Sequence, residues 1–236
     1  MLNGFQHIPP AERIIVAFDC SRERALELAD QLAGAVTWVK IGMTLYYAEG
    51  PSIVKEMKDR GFKVFLDLKF HDIPHQVRGA ARSAAASGAD MLTMHAVGGV
   101  PMMTAGREGA AEAGGEPVTL GITVLTSMDA ETLAATGVVR PVEEQVESLA
   151  LQVREAGLTG VVASPLEAPM LRRVLGPDAF IVTPGVRPAG ADMGDQSRVT
   201  TPAQAFENGA SHLVIGRPIN GAEDPRQAFL DIVEQL

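Results

Sequence analysis

Apolar and polar positions alternate along the chain in two kinds of block. Short apolar runs rich in β-branched residues read as buried strands, and each is followed by a stretch with apolar residues at helical spacing. "RIIVAF" stops at Asp19, and Ser21 then offers an N-cap to "RERALELADQLAG", where Ala25, Leu26, Leu28, Ala29 and Leu32 share one face before Gly34. The unit recurs as "VTWVKI" with a helix through Met57, "KVFLDL" with "HQVRGAARSAAASG", "DMLTMH" with "GVPMMTAGREGAAEAGG", and "PVTLGITVL" with a helix-rich segment from Asp129 to Ala156. "GVVAS", "AFIVTP" and "HLVIG" open three more, followed by "LEAPMLRRVLG", "PAQAFENGA" and "DPRQAFLDIVEQL".

Eight such pairs in 236 residues predict an α/β fold, a single (β/α)8 TIM barrel forming one domain over residues 1–236. Near-continuous apolar strands suit a parallel sheet covered by helices, and no Pro/Ser-rich linker divides the chain. The rival, an open doubly wound sheet, announces itself by a Gly-rich turn after the first strand, where this chain reads "DCSRER". With no GxxxxGK[ST] motif either, a phosphate site is expected in the last two strand-to-helix loops, as barrels often have it.

Composition narrows the function. A formal charge of −9 without any Lys/Arg run argues against nucleic acid as a partner. The single Cys20 cannot form an intramolecular disulfide, "MLNGFQHIPP" lacks the pattern of a signal peptide, and no apolar run approaches the roughly 20 residues of a membrane span. The expectation is a cytoplasmic protein with no membrane partner.

Barrel chemistry sits where the strands end. Strand one ends at Asp19, strand two carries Lys40, strand three ends in Asp67 and Lys69, strand four in His95, strand five in Thr126 and Ser127, and strand eight in Gly216 and Arg217. In "VFLDLKFHDIP" an apolar run breaks into Asp67, Lys69 and Asp72, and residues two apart on a strand face the same side. A lysine between carboxylates is held protonated, a positioned general acid. Read singly, Asp19 is as well explained as a helix cap and Lys40 as a rim salt bridge, while His95 reads as a hydrogen-bonded structural group and Cys20 has no role. "TPGVRPAGADMGDQSR", with Arg187, Gln196 and Arg198, has the length and glycine content of a lid closing on an anion, and Gly216 with Arg217 fits phosphate oxygens.

"DLKFHDIP" resembles the DxKxxD signature of the orotidine 5'-monophosphate (OMP) decarboxylase family, which carries out the last step of UMP synthesis. "VAFD", "WVKIGM", "TVLTSM", "TPGVRP", "DQSR" and "VIGRPI" resemble that family's other blocks, in order along the whole chain. The resemblance implies a homodimeric barrel that decarboxylates OMP to UMP and CO2 with no metal and no organic cofactor. It implies that Asp19 and Lys40 bind the ribose, that Lys40, Asp67, Lys69 and Asp72 form a charged array with Asp72 entering from the other subunit, and that Lys69 protonates C6. Ser127 would contact the pyrimidine amide, Thr126 would line the site, and Arg187, Gln196, Gly216 and Arg217 would take the phosphate, with Ile73, Gln76 and Pro184 also on the substrate. Gln76 is a departure, since the family usually has Thr there. The alternatives are a magnesium-dependent sugar-phosphate decarboxylase or aldolase of the same superfamily, against which Lys40 stands where an acidic metal ligand is usual, or a non-catalytic binder of phosphate ligands.

Overall fold

A computed structural model of the chain describes residues 3–187 and 200–236. Among these, eight strands pair in parallel in sequence order and close into a barrel: β1 Ile14–Phe18, β2 Trp38–Gly42, β3 Lys63–Phe70, β4 Met91–His95, β5 Val118–Ile122, β6 Gly160–Val162, β7 Phe180–Thr183 and β8 His212–Ile215. Helices fill the connections: α1 Arg22–Leu32, α2 Met43–Glu49, α3 Ser52–Asp59, α4 Pro74–Ala86, α5 Gly99–Ala111, α6 Ala130–Ala135, α7 Val142–Glu155, α8 Ala168–Leu175, α9 Pro202–Glu207, α10 Arg217–Asn220 and α11 Pro225–Val233. The (β/α)8 barrel expected from the pattern is therefore the fold.

Strand alternation produces two cores. Ile15, Ala17, Trp38, Phe65, Met91, Leu120, Val182 and Val214 pack together inside the barrel. Their neighbours Ile14, Val16, Val39, Ile41, Val64 and Leu66 face the other way, against helix residues such as Leu28, Leu32, Val54 and Met57. Helix α1 presents Ala25, Leu28, Ala29 and Leu32 to that layer, and Ser21 caps it by accepting from the Arg24 backbone N–H at 3.4 Å. At the N-terminal end of the barrel, Phe5 packs edge-on to Phe180 with ring centroids 4.8 Å apart, and His212 stacks on Phe180 at 5.2 Å.

Three boundaries differ from the pattern-based expectation. The helix expected through Met57 is two helices, because Gly50 takes a left-handed φ of 68° and Pro51 follows it. Strand five ends at Ile122 and not at Leu125, leaving Thr123 to Asp129 as a loop over the rim. The short helix α10 begins directly after Gly216, so Arg217 is helical. After β7, Val186 bridges to Thr200 and the Arg187 N–H donates to the Thr200 carbonyl at 3.0 Å, which holds residues 187 and 200 side by side.

Candidate active site

The last residues of β3 depart from regular strand geometry. Between Leu66, paired with Leu92, and Phe70, paired with Met94, the ladder slips: four residues of β3 advance against two of β4. Lys69 sits in this bulge with φ 53°, the only non-glycine positive φ among the described residues. A left-handed residue with a Cβ costs on the order of 1–3 kcal/mol, so the surrounding contacts must hold it there. Bulges re-aim side chains, and this one sends the Lys69 ammonium to Asp67 Oδ2 at 2.8 Å.

From there the charges alternate across the barrel mouth. Asp67 Oδ2 also lies 3.6 Å from Lys40 Nζ, which donates to Asp19 Oδ1 at 3.0 Å. Asp67 and Lys40 are both buried. Burial alone raises the Asp67 carboxyl, but the Lys40 and Lys69 charges, with hydrogen bonds from Lys69 and Thr93, outweigh it and hold the pKa below the ordinary value. Asp67 is thus an anion at neutral pH, flanked by two lysines. Asp19 caps no helix, since Ser21 does that, and its partner is Lys40. Gly42 makes room for this pair: a Cβ there would lie 2.8 Å from Asp19 Oδ1 and 3.2 Å from Lys40 Nζ.

A cavity of about 580 Å³ opens above the array. Of the residues expected at a site, Asp19, Lys40, Asp67, Lys69, Thr126, Pro184, Arg187, Gly216 and Arg217 line it. Ser127, Asp72, Ile73 and Gln76 do not; all four are exposed, and Asp72 accepts from the Ile73 N–H at 2.6 Å instead of approaching Lys69. Gln196, and Arg198 with it, lie outside the described residues. Within one chain, then, the array runs Asp19, Lys40, Asp67, Lys69.

His95 differs from its expectation as a hydrogen-bonded group. Its ring lies 5.5 Å from that of His71, and burial, then the charges of His71 and Lys69, keep its pKa below the usual value. Burial and the Asp19 carboxylate push the Cys20 thiol up, away from the reactive thiolate. Among the described residues no group of three or more His, Cys, Asp or Glu is placed to hold a metal ion.

Three residues at the site escaped the sequence reading. Arg24, from the first turn of α1, and Asn220, closing α10, line the cavity and are joined by a hydrogen bond from Arg24 Nη2 to the Asn220 carbonyl at 3.1 Å. Thr93 lies beneath, fully buried, donating to Asp67 Oδ1 at 2.9 Å. Its position two residues before His95 on an inward-facing strand was the available signal.

Known proteins share this architecture and sequence. The solved structure of orotidine 5'-phosphate decarboxylase from Lactobacillus acidophilus superposes with a TM-score of 0.84 at 37% identity, covering 95% of this chain and 98% of that one. An uncharacterized conserved protein from Geobacillus kaustophilus gives 0.83 at 36% identity, over 94% and 99% of the two chains. Among curated relatives, orotidine 5'-phosphate decarboxylase of Moorella thermoacetica is 50% identical over 95% of this chain and 92% of its own. That of Maridesulfovibrio salexigens is 48% identical over 94% and 98%. The model of the orotidine 5'-phosphate decarboxylase / HUMPS family matches residues 12–232, from the residue before β1's flanking arginine into the last turn of α11, and it is to this family that the chain belongs.

Proposed function

We propose that this chain, one barrel domain over residues 1–236, is a carboxy-lyase that converts OMP to UMP and CO2 as a homodimer, with neither metal nor organic cofactor. The observation that carries this reading is the run of alternating charges from Asp19 through Lys40 and Asp67 to Lys69 at the floor of an open cavity. The names of the relatives supply the substrate.

The chemistry demands such an array. When the bond from C6 to the carboxylate breaks, CO2 leaves and the electron pair stays on an sp² ring carbon with no conjugated sink. A fixed ammonium stabilises that localised charge as it develops, without reorganising at the moment of reaction. Lys69 then passes a proton from Nζ to C6, and water restores it. Asp67 pairs with the Lys69 ammonium and keeps it pointed, while Lys40 and Asp19 hold the ribose hydroxyls.

Phosphate binding falls to Arg187 and Arg217 with Gly216, after β7 and β8, where barrels commonly hold phosphate. For Gln196, outside the described residues, a share in the phosphate is what the family resemblance implies. Thr126, on the β5 loop, lines the cavity where the pyrimidine would sit, whereas Ser127 beside it is exposed and its contact with the pyrimidine rests on the family resemblance alone. The remaining side of Lys69 takes Asp72 of the partner subunit, with Ile73 and Gln76 beside it. Support for that comes from exposure: Asp72 turns outward from its own cavity, and Tyr47, Ile73 and Val97, from the loops and helices after the adjacent strands β2, β3 and β4, are 72%, 62% and 54% exposed. Large apolar side chains on neighbouring rim loops suit a covered interface. The lone Cys20, free, fits a reducing cytoplasm.

Purified protein mixed with OMP should lose the orotate ultraviolet absorbance at the same rate with and without EDTA. A rate abolished by EDTA and restored by magnesium would replace this reading with a metal-dependent reaction.

A further inference from the structure

The bulge that aims Lys69 is held by a side chain outside the charged array. Thr93 Oγ1 accepts from the Lys69 backbone N–H at 2.9 Å and lies 2.9 Å from Asp67 Oδ1. A hydroxyl has one proton to give, and an ionised carboxylate only accepts, so the sense of both bonds is fixed: Thr93 donates to Asp67 and takes the Lys69 N–H on a lone pair.

In a regular ladder a strand N–H meets a carbonyl of its neighbour. Here the ladder between Leu66 and Phe70 is broken, and the Thr93 hydroxyl meets the Lys69 N–H in its place. The same oxygen occupies Asp67 Oδ1, leaving Oδ2 to face Lys69 at 2.8 Å and Lys40 at 3.6 Å. Thr93 is fully buried and does not line the cavity, so it acts on what touches substrate without touching substrate.

Resting on the reading of Lys69 as proton donor, we propose that Thr93 is a positioning residue for this reaction: its one hydroxyl fixes both the left-handed backbone of Lys69 and the orientation of the Asp67 carboxylate. A misplacement of about 1 Å at a reacting group lowers rate by around 100-fold, which sets the scale expected.

The test compares steady-state OMP turnover and UMP binding in wild type, Thr93→Val, Thr93→Ser and Lys69→Ala. Thr93→Val keeps the shape and removes the hydroxyl; its kcat should fall by about 10- to 100-fold, with KM and UMP affinity changing by less than about threefold. Thr93→Ser keeps the hydroxyl and should recover kcat to within about threefold of wild type. If the valine variant does not fold, Thr93→Ala carries the same expectation. Wild-type kcat in the valine or alanine variant, with only the melting temperature lowered and Lys69→Ala inactive, would overturn the proposal while sparing the function. A serine variant as slow as the valine one would also overturn it. Full turnover by Lys69→Ala would instead overturn the reading of Lys69, and this proposal with it.

Discussion

Gly42 and Lys69 show what single residues contribute at this site, and how unequally the sequence reveals them. Asp67 and Lys69 were legible because clustered charge inside an apolar strand run has no ordinary explanation, whereas Lys40, which alone reads equally as a rim salt bridge, was legible only beside the other strand ends. The left-handed turn at Lys69 was not, since neither glycine nor asparagine marks it, and a threonine in a strand is unremarkable; the link through Thr93 exists only once β3 and β4 are side by side. Asp72, Ile73 and Gln76 were read from the same motif, yet a single chain leaves them outside the cavity. Gly42 permits a prediction. In Gly42→Ala the new methyl would crowd Asp19 Oδ1 at 2.8 Å and Lys40 Nζ at 3.2 Å, both ends of side chains able to shift, so the fold should survive and the pair should not keep its geometry. Thermal unfolding should move little while KM for OMP rises by about tenfold, a loss of about 1.4 kcal/mol of binding; an unchanged KM would show that this pair does not serve the ribose.

Elements were easier to read than residues, because period and punctuation are local. Seven strand runs match to within about two residues, as boundaries usually allow, while β5 ends three residues before its apolar run does, because "TVL" continues the apolar character into a loop of which only Thr123 and Val124 are buried. The break between α2 and α3, inside the single helix expected through Met57, lies at Gly50 and Pro51, residues that end a helix. What no period reveals is how near two helices come. On α5, Gly109 faces the backbone of Arg78 on α4, and a Cβ there would collide with the Arg78 carbonyl. Two effects oppose each other in Gly109→Ala. Alanine favours the helix by about 1 kcal/mol, whereas overpacking against an immovable backbone costs about 1–3 kcal/mol. Because the obstacle is backbone, the cost should lie in the upper part of that range and the clash should win, giving net destabilisation of up to about 2 kcal/mol in denaturant unfolding. A stabilised variant would mean that α4 and α5 have slack.

At the scale of the whole molecule the barrel has a working end and a sealed end, and the two respond differently to pH and to assembly. His212 lies buried at the sealed end between Phe5, Trp38 and Phe180, where burial, then the charges of Arg13 and Lys63, push its pKa down to about 3. Unfolded, it titrates near 6.5. Between these values the unfolded chain binds the proton and the folded chain does not, so stability is lost as pH falls below about 6.5. From pH 7 to pH 5 this group should remove about 2 kcal/mol, and His212→Phe should show a correspondingly shallower decline. Equal declines would place the acid sensitivity elsewhere. At the working end, the proposed sharing of Asp72 between subunits predicts complementation. Inactive Asp72→Asn and Lys69→Ala proteins, mixed and allowed to exchange subunits, should regain about a quarter of wild-type activity, since half the dimers are mixed and each has one intact site. No recovery after verified exchange would mean that Asp72 serves its own chain.

Turnover of OMP by Lys69→Ala beside wild type, at saturating substrate, tests the centre of this account most directly. Loss of both the fixed ammonium and the proton donor should reduce kcat by about 10⁴-fold or more, while the variant still binds UMP through Arg187, Arg217 and the ribose contacts. A folded Lys69→Ala protein that decarboxylates OMP within about tenfold of wild type would contradict it, and would mean that the proton and the charge stabilisation come from elsewhere in the cavity.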